Sequence, residues 1–149
     1  MGVDIDSDYI SRCVGLMRAS RLDDRVDARL ESVYDHDGGP YDAAYFSASF
    51  MLLPDPQAAL ARVRDLLAPG GLVYFTQTFE NERSSFLEWF KPMLRSLTTI
   101  DFGRVTYEED FRSELATSGA EILEVTRLGG NTLRSYHLAV ARPGSNALS

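Results

Sequence analysis

Between residues 41 and 78 the hydrophobic pattern changes period twice, and each change carries its own boundary signal. Residues 43–46 (AAYF) form an uninterrupted apolar run of strand length. Asp55 then offers a helix N-cap, and Pro56 sits at the first helical position, where a missing N–H costs nothing. Leu60, Val63 and Leu67 recur at helical spacing, widened by Ala59 and Leu66, while Arg62, Arg64 and Asp65 fall off the stripe. Pro69-Gly70-Gly71 stops that helix and turns the chain into a second apolar run, Leu72 to Phe75. The stretch predicts a β-α-β unit with parallel strands.

On either side the pattern is similar. Residues 2–5 read as the end of a strand, followed by a helix over about 8–20 with Ser7 as its cap and Ile10, Val14 and Met17 on its inner face. Val26, Ala28 and Leu30 alternate with charged residues as a strand, and residues 32–40 are a turn-rich loop. Phe86, Phe90, Met93 or Leu94, and Leu97 predict a helix over 80–100 that Pro92 interrupts. Thr106 and Glu109 read as a capping box for a helix over about 107–118, ended by Gly119. Ile122, Leu123 and Val125 open a strand, Gly129-Gly130-Asn131 turns it, and residues 133–141 return as its antiparallel partner. The expected organisation is one α/β domain over residues 1–143 and a disordered tail over 144–149.

Composition narrows the function classes. The 149 residues carry a net charge of −7, which argues against a phosphate-backbone partner such as nucleic acid. Of fifteen basic residues only Lys91 is Lys, read here as compositional bias. A single Cys excludes an internal disulfide and a multi-Cys metal site, and fits a reducing, cytoplasmic setting. No apolar run approaches the ~20 residues of a membrane span, and the acidic N-terminus has no signal core.

Few residues stand out as chemistry. Cys13, on the first helix, reads as a small buried thiol. His36 lies between two Asp in the turn-rich loop and reads as solvated, since no second His or Cys is near to make a metal site. Glu80 and Glu82 read as surface carboxylates before bases, and Phe79, Phe86, Trp89 and Phe90 as helix core before an aromatic lid. Asp101, Arg104 and Tyr107 do not differ from surface residues. Asp4 is the sharper candidate. It follows a short strand, where a carboxylate accepts two hydrogen bonds from the vicinal hydroxyls of a ribose.

The order of the pieces GVDIDSDYI, YDAAYFSASFMLLPDPQAAL and LLAPGG-LVYFTQT resembles the class I S-adenosylmethionine (SAM) dependent methyltransferases, over nearly the whole chain. The resemblance implies a Rossmann-like three-layer sandwich, a mostly parallel sheet with a C-terminal antiparallel hairpin. SAM is the implied cofactor and a small-molecule or lipid-like compound the methyl acceptor. It implies that Asp4 holds the ribose and Ile5 packs on the adenine. Ser32, or Glu31 before it, meets the adenine amino group, with Val33 on the other face of the ring; Ser32 departs from the family's usual Asp. Ser47 and Ala48 fall beside the methionine part. Phe50, Met51, Thr76, Gln77, Phe79 and Trp89 fall around the acceptor.

The resemblance also defines a gap. The family grips the carboxypropyl end of SAM with a Gly-rich turn after its first strand, and no such turn occurs here. The chain reads as starting at the second strand, so a β-α unit of roughly 30 residues or more is expected to be absent. In the family order 3-2-1-4-5-7-6 that strand is central, so strands two and four are expected to have unpaired edges, open to self-association. The sequence is then part of a longer methyltransferase, or a product of that fold that has lost catalysis. A non-catalytic interaction module of the same fold and a nicotinamide-dependent oxidoreductase remain as alternatives; the second rests on Asp4, which suits that cofactor's ribose too.

Overall fold

The computed structural model describes residues 1–80 and 106–144. They form two compact units, residues 1–40 and residues from 41 onward.

In the first unit, β1 (Gly2–Asp4) and β2 (Ala28–Leu30) pair in parallel, with Gly2 opposite Ala28 and Asp4 opposite Leu30. Helix α1 (Ser7–Ala19) connects them through a charged turn. Its cap is Asp6, one residue earlier than expected. The Asp6 carboxylate accepts from the N–H groups of Asp8 (2.8 Å) and Tyr9 (3.0 Å), so Ser7 is already helical. Cys13 is exposed, against expectation. The inner stripe of α1 is Ile10, Val14 and Met17, all part-buried, and the Cys13 Sγ lies 3.7 Å from the Met17 sulfur at the margin of that stripe.

The second unit holds the main core. Its four-stranded sheet has the order β3–β4–β6–β5. Strand β3 (Tyr41–Ser47) runs parallel to β4 (Leu67–Glu80), with Phe46 opposite Phe75 and Ser47 opposite Thr76. The link between them is a 3₁₀ turn at Phe50–Leu52 and helix α2 (Pro56–Leu66). The Asp55 carboxylate accepts from the Ala58 N–H at 2.9 Å and Pro56 occupies the first turn, as the sequence implies. The helix ends at Leu66, before Pro69-Gly70-Gly71, because Leu67 already pairs with Tyr41. At Gly71 the chain passes so close to the Asp42 carbonyl that a Cβ would lie 3.2 Å from its oxygen.

Strand β4 continues well past Phe75 because β6 (Arg134–Arg142) pairs with it antiparallel from Val73 to Glu80. Strand β5 (Glu121–Gly130) closes the sheet as the antiparallel partner of β6. Helix α3 (Glu108–Thr117) precedes β5. Its N-cap is Tyr107, one residue after Thr106. The Thr106 carbonyl accepts the Glu80 N–H at 3.0 Å, tying the start of this helix to the end of β4. At its far end Gly119 takes φ +73°, and the N–H groups of Gly119 and Ala120 bond the carbonyls of Ala116 and Leu115. That paired closure is the Schellman arrangement.

The core lies on one face of this sheet. Val73, Phe75 and Phe79 alternate inward along β4, Phe75 and Phe79 meet Phe111 of α3, and Leu115 of the same helix is also buried. Phe75 stacks on Phe46 at 5.4 Å and meets Phe50 and Phe111 edge-on at 5.0 and 5.4 Å. Ala59, Leu60 and Val63 of α2 are also buried, as their helical stripe predicts. On the opposite face Tyr45 and Tyr136 are 58 % and 51 % exposed.

The described strands form two sheets, a parallel pair and a mixed four-stranded sheet. Among the described residues β1 pairs only with β2, and β3 only with β4, so β1 and β3 each keep one edge unpaired there, as expected for strands two and four. The orders β2–β1 and β3–β4–β6–β5 correspond to the pieces 3-2 and 4-5-7-6 of the implied order, and no described strand supplies position one. The expected helix over 80–100, with Phe86, Trp89 and Phe90, lies outside the described residues, as do Glu82, Asp101, Arg104 and the last five residues of the tail.

Candidate functional site

In the first unit, the parallel pairing brings two carboxylates to the same end of two neighbouring strands. Asp4 ends β1, Glu31 follows β2, and the Glu31 N–H donates to the Asp4 carbonyl at 3.0 Å. One carboxylate oxygen of Asp4 accepts the Asp6 N–H at 2.8 Å, which holds the side chain against the start of α1. Ile5, next in the chain, is 77 % exposed. An open carboxylate beside an open apolar side chain suits a ribose and the flat base attached to it.

Past Glu31 the chain makes one tight turn. The N–H groups of Asp35 and His36 both donate to the Ser32 carbonyl at 3.1 Å, and the Ser32 Oγ accepts the Tyr34 N–H at 3.3 Å. Ser32 and Val33 are thereby part-buried at the side of the turn. His36 is carried back to Glu31, and its Nδ1 lies 2.9 Å from the Glu31 carboxylate. The ring is buried, with 4 % exposure, so the solvated loop histidine is corrected. An ionised carboxylate only accepts, so Nδ1 carries the proton in this contact.

In the second unit, Ser47 ends β3 and Ala48 follows it, both exposed. Ala48 takes φ +53°, and its N–H donates to the Thr76 carbonyl at 2.9 Å. A side chain in that left-handed region is uncommon and costly. Here the bond to β4 holds the bend at the carboxyl end of the two parallel strands, which is where open α/β sheets place ligands. Beside it, the Tyr45 hydroxyl lies 2.9 Å from the Thr76 Oγ1. Hydrogen bonds from Thr76, and secondly from Ser47, pull the Tyr45 phenol below its ordinary pKa.

The expected acceptor residues divide. Thr76 and Met51 are part-buried. Phe50 and Phe79 are taken up by the core, Phe50 against Phe75 and Phe79 against Phe111 and the His137 ring. Gln77 is also inside, 8 % exposed, and its Oε1 has no hydrogen-bond partner. Trp89 lies outside the described residues. Glu80 pairs with Arg134 at 2.6 Å. Sequence reasoning missed the burial of His36 and the role of the exposed Tyr45; for Tyr45 the signal was a polar-tipped residue two positions before the strand end, opposite Tyr74 and diagonal to Thr76 across a parallel pair. An open pocket of about 300 Å³ between α2 and Pro143-Gly144 includes none of these residues. No group of three or more metal-ligating side chains occurs among the described residues, and no described helix is long and apolar enough to cross a membrane.

The profile of a family described as a methyltransferase domain matches residues 2–125. The chain belongs to the methyltransferase domain family. No curated protein matches it significantly. Among solved structures, the [4+2]-cyclase SpnF aligns with a TM-score of 0.73 at 16% identity, over 97% of this chain and 66% of that one. Geranyl diphosphate C-methyltransferase from Streptomyces coelicolor A3(2), in complex with Mg2+, geranyl diphosphate and S-adenosyl-L-homocysteine, aligns with a TM-score of 0.69 at 12% identity, over 95% of this chain and 61% of that one. The mitomycin 7-O-methyltransferase MmcR aligns with a TM-score of 0.67 at 16% identity, over 92% of this chain and 40% of that one. At these identities the likeness is one of fold. This methyltransferase domain spans two thirds or less of the length of these three structures.

Proposed function

We propose that this domain takes part in SAM-dependent methyl transfer to a small-molecule or lipid-like acceptor. The observation that carries the proposal is the placement of Asp4 and Glu31 at the same end of the parallel β1–β2 pair, with Ile5 exposed beside them. Asp4 accepts hydrogen bonds from the ribose hydroxyls, Ile5 lies on the adenine, and Glu31 with Ser32 and Val33 meets its edge. In the second unit, taken by itself, the resemblance assigns Ser47 and Ala48 to the methionine part and Met51, Thr76 and Gln77 to the acceptor. The fit is one-sided. The adenosine end has its acceptors, whereas none of the Gly pairs among the described residues lies at the carboxyl end of β1 or β3. SAM supplies a methyl group on a positively charged sulfur; the protein's part is to orient donor and acceptor and to exclude water.

The test is calorimetry with S-adenosylhomocysteine on the chain and on Asp4→Asn. Binding that weakens about tenfold in Asp4→Asn, the loss of one charge-assisted hydrogen bond, supports the reading. Preference for NADH over S-adenosylhomocysteine replaces it with the oxidoreductase. The β3 edge, unpaired among the described residues, favours one second reading, an interaction module that completes or doubles its sheet through that edge. A folded chain that binds no S-adenosylhomocysteine and sediments as a dimer selects that module, and Ala43→Lys on the edge then returns it to a monomer.

A further inference from the structure

The first unit has one buried ionisable ring, and it is aimed at a carboxylate of the proposed cofactor site. His36 Nδ1 lies 2.9 Å from Glu31, and the His36 side chain is 5 % exposed against 24 % for Glu31. The turn that returns the ring is fixed by bonds of its own, from the Asp35 and His36 N–H groups to Ser32 and from the Tyr34 N–H to the Ser32 hydroxyl. A free Glu side chain samples many rotamers. One oxygen held by a buried donor restricts it to a single orientation before any ligand arrives, and such preorganisation improves selectivity as well as affinity.

We infer that His36 is a positioning residue for base selectivity: it locks the Glu31 carboxylate so that it accepts from an exocyclic amino group on the purine and repels a carbonyl there. The inference rests on the cofactor reading above. The distinction it predicts is between adenine and hypoxanthine. Adenine presents an amino donor at position six, while hypoxanthine presents a carbonyl acceptor that faces the carboxylate with no proton between them. A site built to bond one group rejects the analogue lacking it more strongly than a merely close-fitting site does.

The experiment compares S-adenosylhomocysteine with S-inosylhomocysteine by calorimetry on the full chain. The wild-type chain is expected to prefer the adenine compound by about tenfold or more. Glu31→Gln, whose amide donates as well as accepts, removes most of that preference. His36→Ala lowers it severalfold although Glu31 remains, and His36→Asn restores it, because the Asn amide nitrogen replaces Nδ1. Loss of a buried ring as mere packing weakens both ligands alike and is not rescued by Asn. Should His36→Ala not fold, Glu31→Gln and His36→Asn carry the comparison. Adenine preference unchanged in Glu31→Gln, or in a folded His36→Ala, overturns the role of His36 and leaves the cofactor reading intact. Absence of binding for both compounds in the wild-type chain overturns the cofactor reading, and this inference with it.

Discussion

Gln77→Leu is expected to make the protein more stable. Gln77 sits on the core face of β4 between Phe75 and Phe79, and its Oε1 is buried without a partner. Its amide nitrogen makes one weak contact, 3.4 Å from the Thr78 carbonyl. A buried acceptor left unpaired costs roughly 1–3 kcal/mol, and a bond at the distance limit returns little of that. Leu has a similar volume and adds apolar burial beside the Phe residues. The net gain is about 2 kcal/mol, or ~6 °C in Tm for a chain of this length. The opposite residue across the β4–β6 pair is His137, whose Nδ1 is likewise buried without a partner. Urea denaturation of Gln77→Leu, His137→Leu and the double variant measures each effect and their coupling. Loss of stability in Gln77→Leu, with a coupling above about 1 kcal/mol in the cycle, shows that the two side chains satisfy each other and refutes the reasoning. Gln77 also borders the proposed acceptor site, so stabilisation accompanied by loss of transfer is the pattern of a polar group kept inside for function.

Other perturbations test separate parts of the structure. Phe111→Ala removes the ring that meets Phe50, Phe75 and Phe79, and costs about 3–5 kcal/mol in urea denaturation. Gly130→Ala puts a side chain at φ +129° and drives its Cβ into the Arg134 carbonyl and the Ser135 backbone; amide exchange in β5 and β6 accelerates, while α2 is little changed. A spectrophotometric titration of the tyrosines resolves one phenol ionising below the ordinary range, because hydroxyl donors stabilise the Tyr45 phenolate. Thr76→Val, which removes the larger donor, moves that step upward.

Where a boundary is decided by neighbours in sequence, the residues state it. Asp55-Pro56 starts α2 and Gly119 ends α3 because each solves a local problem of unpaired backbone groups. Distant partners blur the others. The Thr106-to-Glu109 spacing puts the helix start at Thr106, whereas the N-cap is Tyr107 and the Thr106 carbonyl is bonded to the distant Glu80 N–H. Strand β4 reads locally as a run ending near Phe75. Its extension through Gln77 and Phe79 depends on Arg134, Ser135 and Tyr136 of a strand more than fifty residues away. Nothing in residues 76–80 announces that pairing, since Thr-Gln-Thr interrupts the apolar run.

The candidate site divides along the same line. Asp4 stands out by its place at the end of a short strand, while Glu31 enters only through the family resemblance; parallel pairing makes the two neighbours. His36 is not legible by composition, since a histidine between two aspartates has the look of a solvated loop. What fixes it is a turn of four residues that starts on Ser32, immediately after Glu31, and brings position 36 back over position 31. A serine-initiated turn directly after an acidic strand end, with histidine closing it, is a pattern readable in sequence once the return of the turn is considered. A polar residue in a short loop is therefore judged by where the loop's own hydrogen bonds deliver it. By that criterion His36 belongs with Glu31 and not with the aspartates that flank it.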